Sequence, residues 1–153
     1  MAKAAPVPIH ADMTFAEAAS QTVAVRAAEL WQHADGVLDT GDIERVHDMR
    51  VATRRLRAVL EIFAPCFPRD DHRAALREVK ALADALGARR DPDVQLDALA
   101  AVQGAMGEAE RPGLELFGER LRAEQAAGND VLAAALRHAE ASGLRERLER
   151  LAA

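Results

Sequence analysis

Between Val46 and Arg57 the chain reads V-H-D-M-R-V-A-T-R-R-L-R, one histidine and four arginines threaded through apolar positions. At about 100° per residue on a helix, His47, Arg50, Arg54 and Arg57 fall within roughly one quarter of the circumference. Met49, Leu56, Val59, Leu60 and Phe63 point the other way. A row of guanidinium groups offers forked donors to several anionic oxygens at once, so the chemistry suggested is recognition of a phosphate-rich polyanion. A second basic column follows: Arg69, Arg73, Arg77 and Lys80, at steps of four, four and three residues. Two such helices packed as an antiparallel pair bring both columns to one groove. Like charges about 6 Å apart cost roughly 2–3 kcal/mol at an effective dielectric near 20. A linear polyphosphate relieves that repulsion while accepting the arginine hydrogen bonds.

Spacing alone leaves two readings open. Arginine rows on helices are often solvated faces paired with acids four residues away, as Arg57–Glu61 and Lys80–Asp84 allow in part. The other reading is the anion groove. Arg55 points to the flank carrying Ile62 and is expected to be an ion-pair partner for Asp91 or Asp93. Asp91, before a proline, reads as a helix cap, with Asp93 a first-turn charge favoured by the helix dipole. His47 heads its row and is placed to donate to phosphate or to become charged beside it. His10, His33, His72 and His138 have no i,i+4 histidine and no carboxylate at ligand spacing, so no metal site is expected.

The elements that must position these groups are helices. Alanine, leucine, arginine and glutamate dominate, aromatic residues make up 3% and tyrosine is absent, a balance that favours helix over strand. With half of its 153 residues apolar, the chain suffices for one domain with a real core. Met1–His10 lacks the apolar stretch of a secretory signal, so residues 1–12 are expected to be a flexible arm before a helical domain at 13–153.

Thr14 and Glu17 form a capping box that opens a helix through Val23, Ala27, Leu30 and Trp31 to about Leu38. Asp42 is expected to cap the arginine helix, which stops before Pro65. Asp70 or Asp71 caps a third helix that ends at Gly87. Ala88–Arg90 then forms a basic connector, and Asp91-Pro92 starts a fourth helix that dissolves near Gly104. Pro112 opens a longer one; Gly128-Asn129 offers a break in it, and Ser142-Gly143 divides off Leu144–Leu151. Short connections between such helices imply an all-α antiparallel bundle.

Net charge is −5, which argues against indiscriminate nucleic-acid binding. The distribution matters more: from Arg45 to Arg90 eleven Lys/Arg face six Asp/Glu, and elsewhere nine face nineteen. There is no G-x-x-x-x-G-K-[ST] loop, no G-x-S-x-G elbow and no nucleophile–base set, so no enzymatic activity and no cofactor are expected. The single cysteine, Cys66, excludes an internal disulfide and makes a reducing cytoplasm the simplest compartment. No apolar run reaches the roughly 20 residues of a membrane span. Aromatic residues to stack on single-stranded nucleic acid are lacking.

Val46–Phe63, V-H-D-M-R-V-A-T-R-R-L-R-A-V-L-E-I-F, followed by L-A-D-A-L-G-A-R-R-D-P-D-V at Leu82–Val94, resembles the CHAD family, the conserved histidine α-helical domain. The resemblance covers roughly residues 14–105, with Pro92 where an aliphatic residue is commoner. It implies an all-helical, polyphosphate-binding domain that recruits proteins to polyphosphate granules. Carried over by position, its histidine is His47 and its basic residues are Arg50, Arg54, Arg55, Arg57, Arg77, Lys80, Arg89 and Arg90. Together with Arg73 from the second column, these make up the expected polyphosphate surface, Arg55 being kept for the ion pair.

Family members commonly carry two bundle halves related by a pseudo-twofold axis. Here Ala105–Ala153 has no second H-x-x-R-x-x-x-R-R, so the chain corresponds to one half. Either a homodimer rebuilds the other half or the site is shallower and weaker; the dimer is preferred, because half a basic face holds a long polyanion poorly. The E-x-E-x-K triphosphate-hydrolysing module often fused to the family is absent from this sequence. A nucleic-acid-binding module and a purely structural dimerisation bundle stand as the alternatives.

Overall fold

The computed structural model describes residues 3–153, and these form five α-helices with one 3-10 turn. Helix α1 spans Phe15–Gln32, α2 Ile43–Ile62, α3 Arg69–Gln103, α4 Arg111–Ala141 and α5 Leu144–Ala152; the turn is Ala64–Cys66. The bundle is all-α, and its neighbouring long helices run antiparallel.

The capping box at the start of α1 is formed in full: the Glu17 amide donates to Thr14 Oγ1 at 3.2 Å, and the Thr14 amide to Glu17 Oε2 at 2.7 Å. Val23, Ala27 and Leu30 are buried along its inner face, and Trp31 is half-buried. The helix ends at Gln32, short of Leu38, because the chain turns at Gly36, whose φ of 68° lies in the left-handed region. Asp42 is the N-cap of α2 by position but makes no cap hydrogen bond; its carboxylate takes the Arg45 guanidinium at 3.1 Å. Upstream of α1, Ala5 is fastened to the bundle: its amide donates to Glu29 Oε1 at 2.5 Å, and its carbonyl accepts from Arg26 at 2.9 Å.

Met49, Leu56 and Leu60 of α2 meet Val79, Leu82 and Leu86 of α3 in the core, closed by Leu132 of α4 and by Leu144, Leu148 and Leu151 of α5. The register of α2 on α3 is antiparallel. Arg90 donates to the Ile43 carbonyl at 3.4 Å at one end, and buried His72 is hydrogen-bonded to the Leu60 carbonyl at 2.7 Å at the other. Helix α5 is tied across α3 by ion pairs, Arg147–Glu78 at 2.5 Å and Arg150–Asp71 at 2.9 Å.

The expected third and fourth helices are one. Helix α3 runs 35 residues without a break at Gly87, and Asp91-Pro92 lies inside it as no cap at all. Pro92 has no N–H, so the Ala88 carbonyl loses its helical donor, a defect of about 3 kcal/mol in an isolated helix. The turn is held in place from α4. Arg89 and Asp93, both fully buried, form an ion pair across the turn that holds Pro92. Asn129 Oδ1 accepts from Arg89 Nε at 3.1 Å, and Gln125 donates to Asp93 at 2.6 Å. Gly128 makes this approach possible: a Cβ there would lie 2.9 Å from the Ala88 carbonyl oxygen and 3.0 Å from the Arg89 Cα. Gly128-Asn129 therefore does not interrupt α4; it is the point where α4 seats against α3.

Gly128→Ala is expected to destabilise the fold by about 1–3 kcal/mol, because the obstructing atoms are backbone and cannot rotate away. Chemical denaturation of the variant checks this; an unchanged midpoint would mean that the contact is not tight.

Candidate functional site

The antiparallel register of α2 and α3 brings their basic columns together at Arg57 and Lys80, which Glu61 bridges. Arg50 and Arg54 of α2 and Arg73 and Arg77 of α3 are exposed, as is Arg69 at the start of α3. None of these five has an ion-pair or hydrogen-bond partner among the described residues, so their charge is not neutralised by the protein. His47, Arg57 and Lys80 are half-buried.

One acid interrupts the seam. Glu61 Oε1 accepts from Arg57 Nε at 3.0 Å and from Lys80 Nζ at 3.2 Å, bridging the two helices. The hydrogen bond from Arg57, reinforced by the one from Lys80, holds the Glu61 carboxyl below its ordinary range. It is therefore ionised at neutral pH, and the bridge is lost only as pH falls through that lowered value. The i,i+4 half of this contact is visible in the sequence; the half that reaches Lys80 requires the α2–α3 register.

At the far end of the seam Arg90 is half-buried, turned toward the start of α2, with Glu44 at 4.0 Å. Glu44, His47 and Asp48 bring one donor atom each within 4.8 Å of one another, a grouping that could hold a metal ion. The i, i+3, i+4 spacing that creates it is present in the sequence and was not among the expectations above.

Arg89 requires a correction. It does not join the exposed row: its side chain is fully buried, paired with Asp93. The reason is the unbroken helix. With no connector at Ala88–Arg90, residue 89 falls on the face of α3 that packs against α4. The expected partnership of Arg55 with Asp91 or Asp93 is corrected by the same geometry. Asp93 belongs to Arg89, Asp91 is exposed on α3, and Arg55 lies close enough to Glu29 of α1 to act on its carboxyl. Burial pushes Glu29 upward, but the Arg26 hydrogen bond, the Ala5 amide and the charges of Arg26 and Arg55 together hold it below its ordinary value.

Hollows open elsewhere on the bundle. Two of about 460 and 490 Å³ flank Trp31, over whose ring the Arg145 guanidinium sits at 4.7 Å. None of the seam residues lines them. What the seam presents is an open cationic surface whose exposed arginines have no protein partner among the described residues.

A helical bundle with a cationic two-helix face is thus the class of protein that fold and site define. The family model of the CHAD domain matches residues 21–153, so the chain belongs to the CHAD family. Searches of curated proteins and of solved structures returned no match. The family is one of helical domains of the binding type and is consistent with polyphosphate binding in general. Among the described residues no helix is long and apolar enough to cross a membrane.

Asp93→Ala is expected to cost about 3–5 kcal/mol, since it leaves a buried guanidinium without its counterion. Replacing Arg89 and Asp93 together by apolar residues of similar volume should recover most of that loss. Thermal unfolding of the two variants checks the pair; equal damage in both would show that the charges are not coupled.

Proposed function

We propose that this chain binds inorganic polyphosphate along the α2–α3 seam and, as a homodimer, associates with polyphosphate granules in the cytoplasm. The reading is carried by Arg50 and Arg54 of α2 and Arg73 and Arg77 of α3, exposed and without a partner among the described residues, on two antiparallel helices that Glu61 bridges through Arg57 and Lys80. Protein acids left these charges open where a solvated face would have paired them. His47, Arg57 and Lys80 complete the surface, with Arg90 at its end; Arg89 is not part of it.

The role is binding, not catalysis. Arginine forks and Lys80 replace the counterions condensed on the polymer, so affinity falls as salt rises. Polyphosphate is favoured over nucleic acid because the seam residues named here include no Phe, Tyr or Trp on which a base could stack. Competition against single-stranded RNA distinguishes the two.

Arg54→Ala combined with Arg57→Ala is expected to weaken polyphosphate binding by about 2–3 kcal/mol, roughly 30- to 150-fold. It should also lower the salt slope of log affinity by about 1.4, near 0.7 for each lost phosphate contact on a flexible strand. Helicity should be retained, because the α2 core residues Met49, Leu56 and Leu60 are untouched. Fluorescence titration against polyphosphate at three salt concentrations reads both quantities, and an intact variant binding as tightly as the parent defeats the seam.

Glu61→Gln is expected to act in the opposite direction. Removing the internal carboxylate frees Arg57 and Lys80 for the polymer, so affinity should rise several-fold, with stability close to the parent's. At neutral pH the parent keeps Glu61 ionised. Its own affinity should therefore approach that of the variant only as pH falls below the ordinary carboxylate range. Titrations of the pair at pH 7 and at a pH below the ordinary carboxylate range test this.

A further inference from the structure

Helix α4 carries two seams at alternating steps of four and three residues. The first, Leu114, Gly118, Leu121, Gln125, Gly128 and Leu132, faces the protein: Gly118, Leu121, Gly128 and Leu132 are buried, and Leu114 and Gln125 half-buried. The second is displaced by one residue: Gly113, Phe117, Arg120, Glu124, Ala127, Val131 and Ala134, at alternating steps of four and three. Every member of it is exposed, with Phe117 at 46%, Val131 at 52% and Leu116 on its border at 68%. Such spacing is that of a helix packing against another along its length. None of the described elements covers this face.

The seam is complementary to itself. When a second α4 is laid antiparallel about a twofold axis near residue 122, Arg120 of each copy meets Glu124 of the other. Phe117 meets Ala127, and Gly113 meets Val131. Large side chains then oppose small ones at four positions, and opposite charges oppose each other at the two central pairs. A shallow depression of about 470 Å³ lined by Gly113, Leu116, Phe117, Glu119 and Arg120 lies where Val131 of the second copy would enter. In the single chain Arg120 and Glu124 are paired only with each other, at 3.0 Å, with side chains 75% and 48% exposed. They are free to exchange partners without leaving either charge alone.

We infer that this outer face of α4 is an isologous interface and that its occupant is a second copy of the chain. The inference rests on the reading of the chain as a homodimer and gives that dimer its surface; it is independent of what the basic seam binds. Its length, from Gly113 to Ala134, is about 31 Å at 1.5 Å per residue. That places the contact among the smaller specific interfaces, so reversible association is expected, not an obligate dimer.

Sedimentation velocity on the full chain, without polyphosphate and across a concentration series, tests the interface. The parent should approach twice the chain mass of 16.5 kDa at high concentration. Val131→Glu and Arg120→Glu should each weaken association at least tenfold, the second by setting Glu against Glu at both central pairs. Combining Arg120→Glu with Glu124→Arg should restore it, since the exchanged charges match again. A monomeric parent, or a Val131→Glu or Arg120→Glu variant that associates as the parent does, overturns the proposal, as does failure of the double exchange to recover the dimer while circular dichroism shows intact helices. Short-chain polyphosphate titrated against both the parent and the Val131→Glu monomer separates the two readings: binding by either leaves the basic seam standing whatever the fate of the interface, and binding by neither faults the seam reading alone.

Discussion

Everything the molecule presents to a partner depends on α3 remaining one helix through Pro92. Its first half carries Arg69, Arg73, Arg77 and Lys80, and its second half forms a hairpin with α4. The buried Arg89–Asp93 pair spans the proline turn and is held from α4 by Asn129 and Gln125. A charge pair of this kind adds little net stability, because both ions are stripped of water. What it supplies is direction: a defect that would let α3 bend is spanned by a contact with one geometry. Arg89 Nη2 and Asp93 Oδ2 have no partner among the described residues, so the network is satisfied only in part. That is consistent with a role in orientation more than in net stability.

The basic seam is the reverse case, a set of like charges that the fold leaves together at a cost. At the separations of neighbouring helices each close pair of cations repels by a few kcal/mol before solvent screening. Glu61 offsets part of this by holding Arg57 and Lys80, and it does so from the seam itself. On the polyphosphate-binding reading, the contact that steadies the seam is one that a polymer phosphate can replace. A phosphate oxygen accepts the same donors and carries further charges along the row to Arg54 and Arg50. A carboxylate fixed to one helix turn cannot.

The fold class was legible in the sequence because helical periodicity and the capping box at Thr14 and Glu17 are local signals. The α2 stripe was legible for the same reason, and its apolar face lies in the core as its spacing implies. The misplacement of Arg89 has a distant cause. Gly87, Arg89, Arg90 and Asp91-Pro92 together look like the end of one helix and the cap of the next. The groups that overrule that look, Gly128, Asn129 and Gln125, lie 32 to 40 residues further along the chain. Local propensity says how a segment behaves alone, and here tertiary contacts decide. The Glu61–Lys80 bridge was invisible for a related reason: it follows from the register of α2 on α3.

Charge distribution links the two faces of the molecule. From Asp91 to Asp130, the stretch that forms most of the α3–α4 hairpin, nine acids stand against three arginines. A polyanion approaching the chain is attracted to the α2–α3 seam and repelled along the hairpin within about a Debye length, near 8 Å at physiological salt. The net charge of −5 is then no argument against an anionic ligand. It restricts where the ligand lies, because binding that spread from the seam onto the hairpin would set phosphate against carboxylate. In contrast, the outer seam of α4 holds its charges in balanced pairs of Arg120 and Glu124. A protein surface can pack there without the field that turns a polymer away.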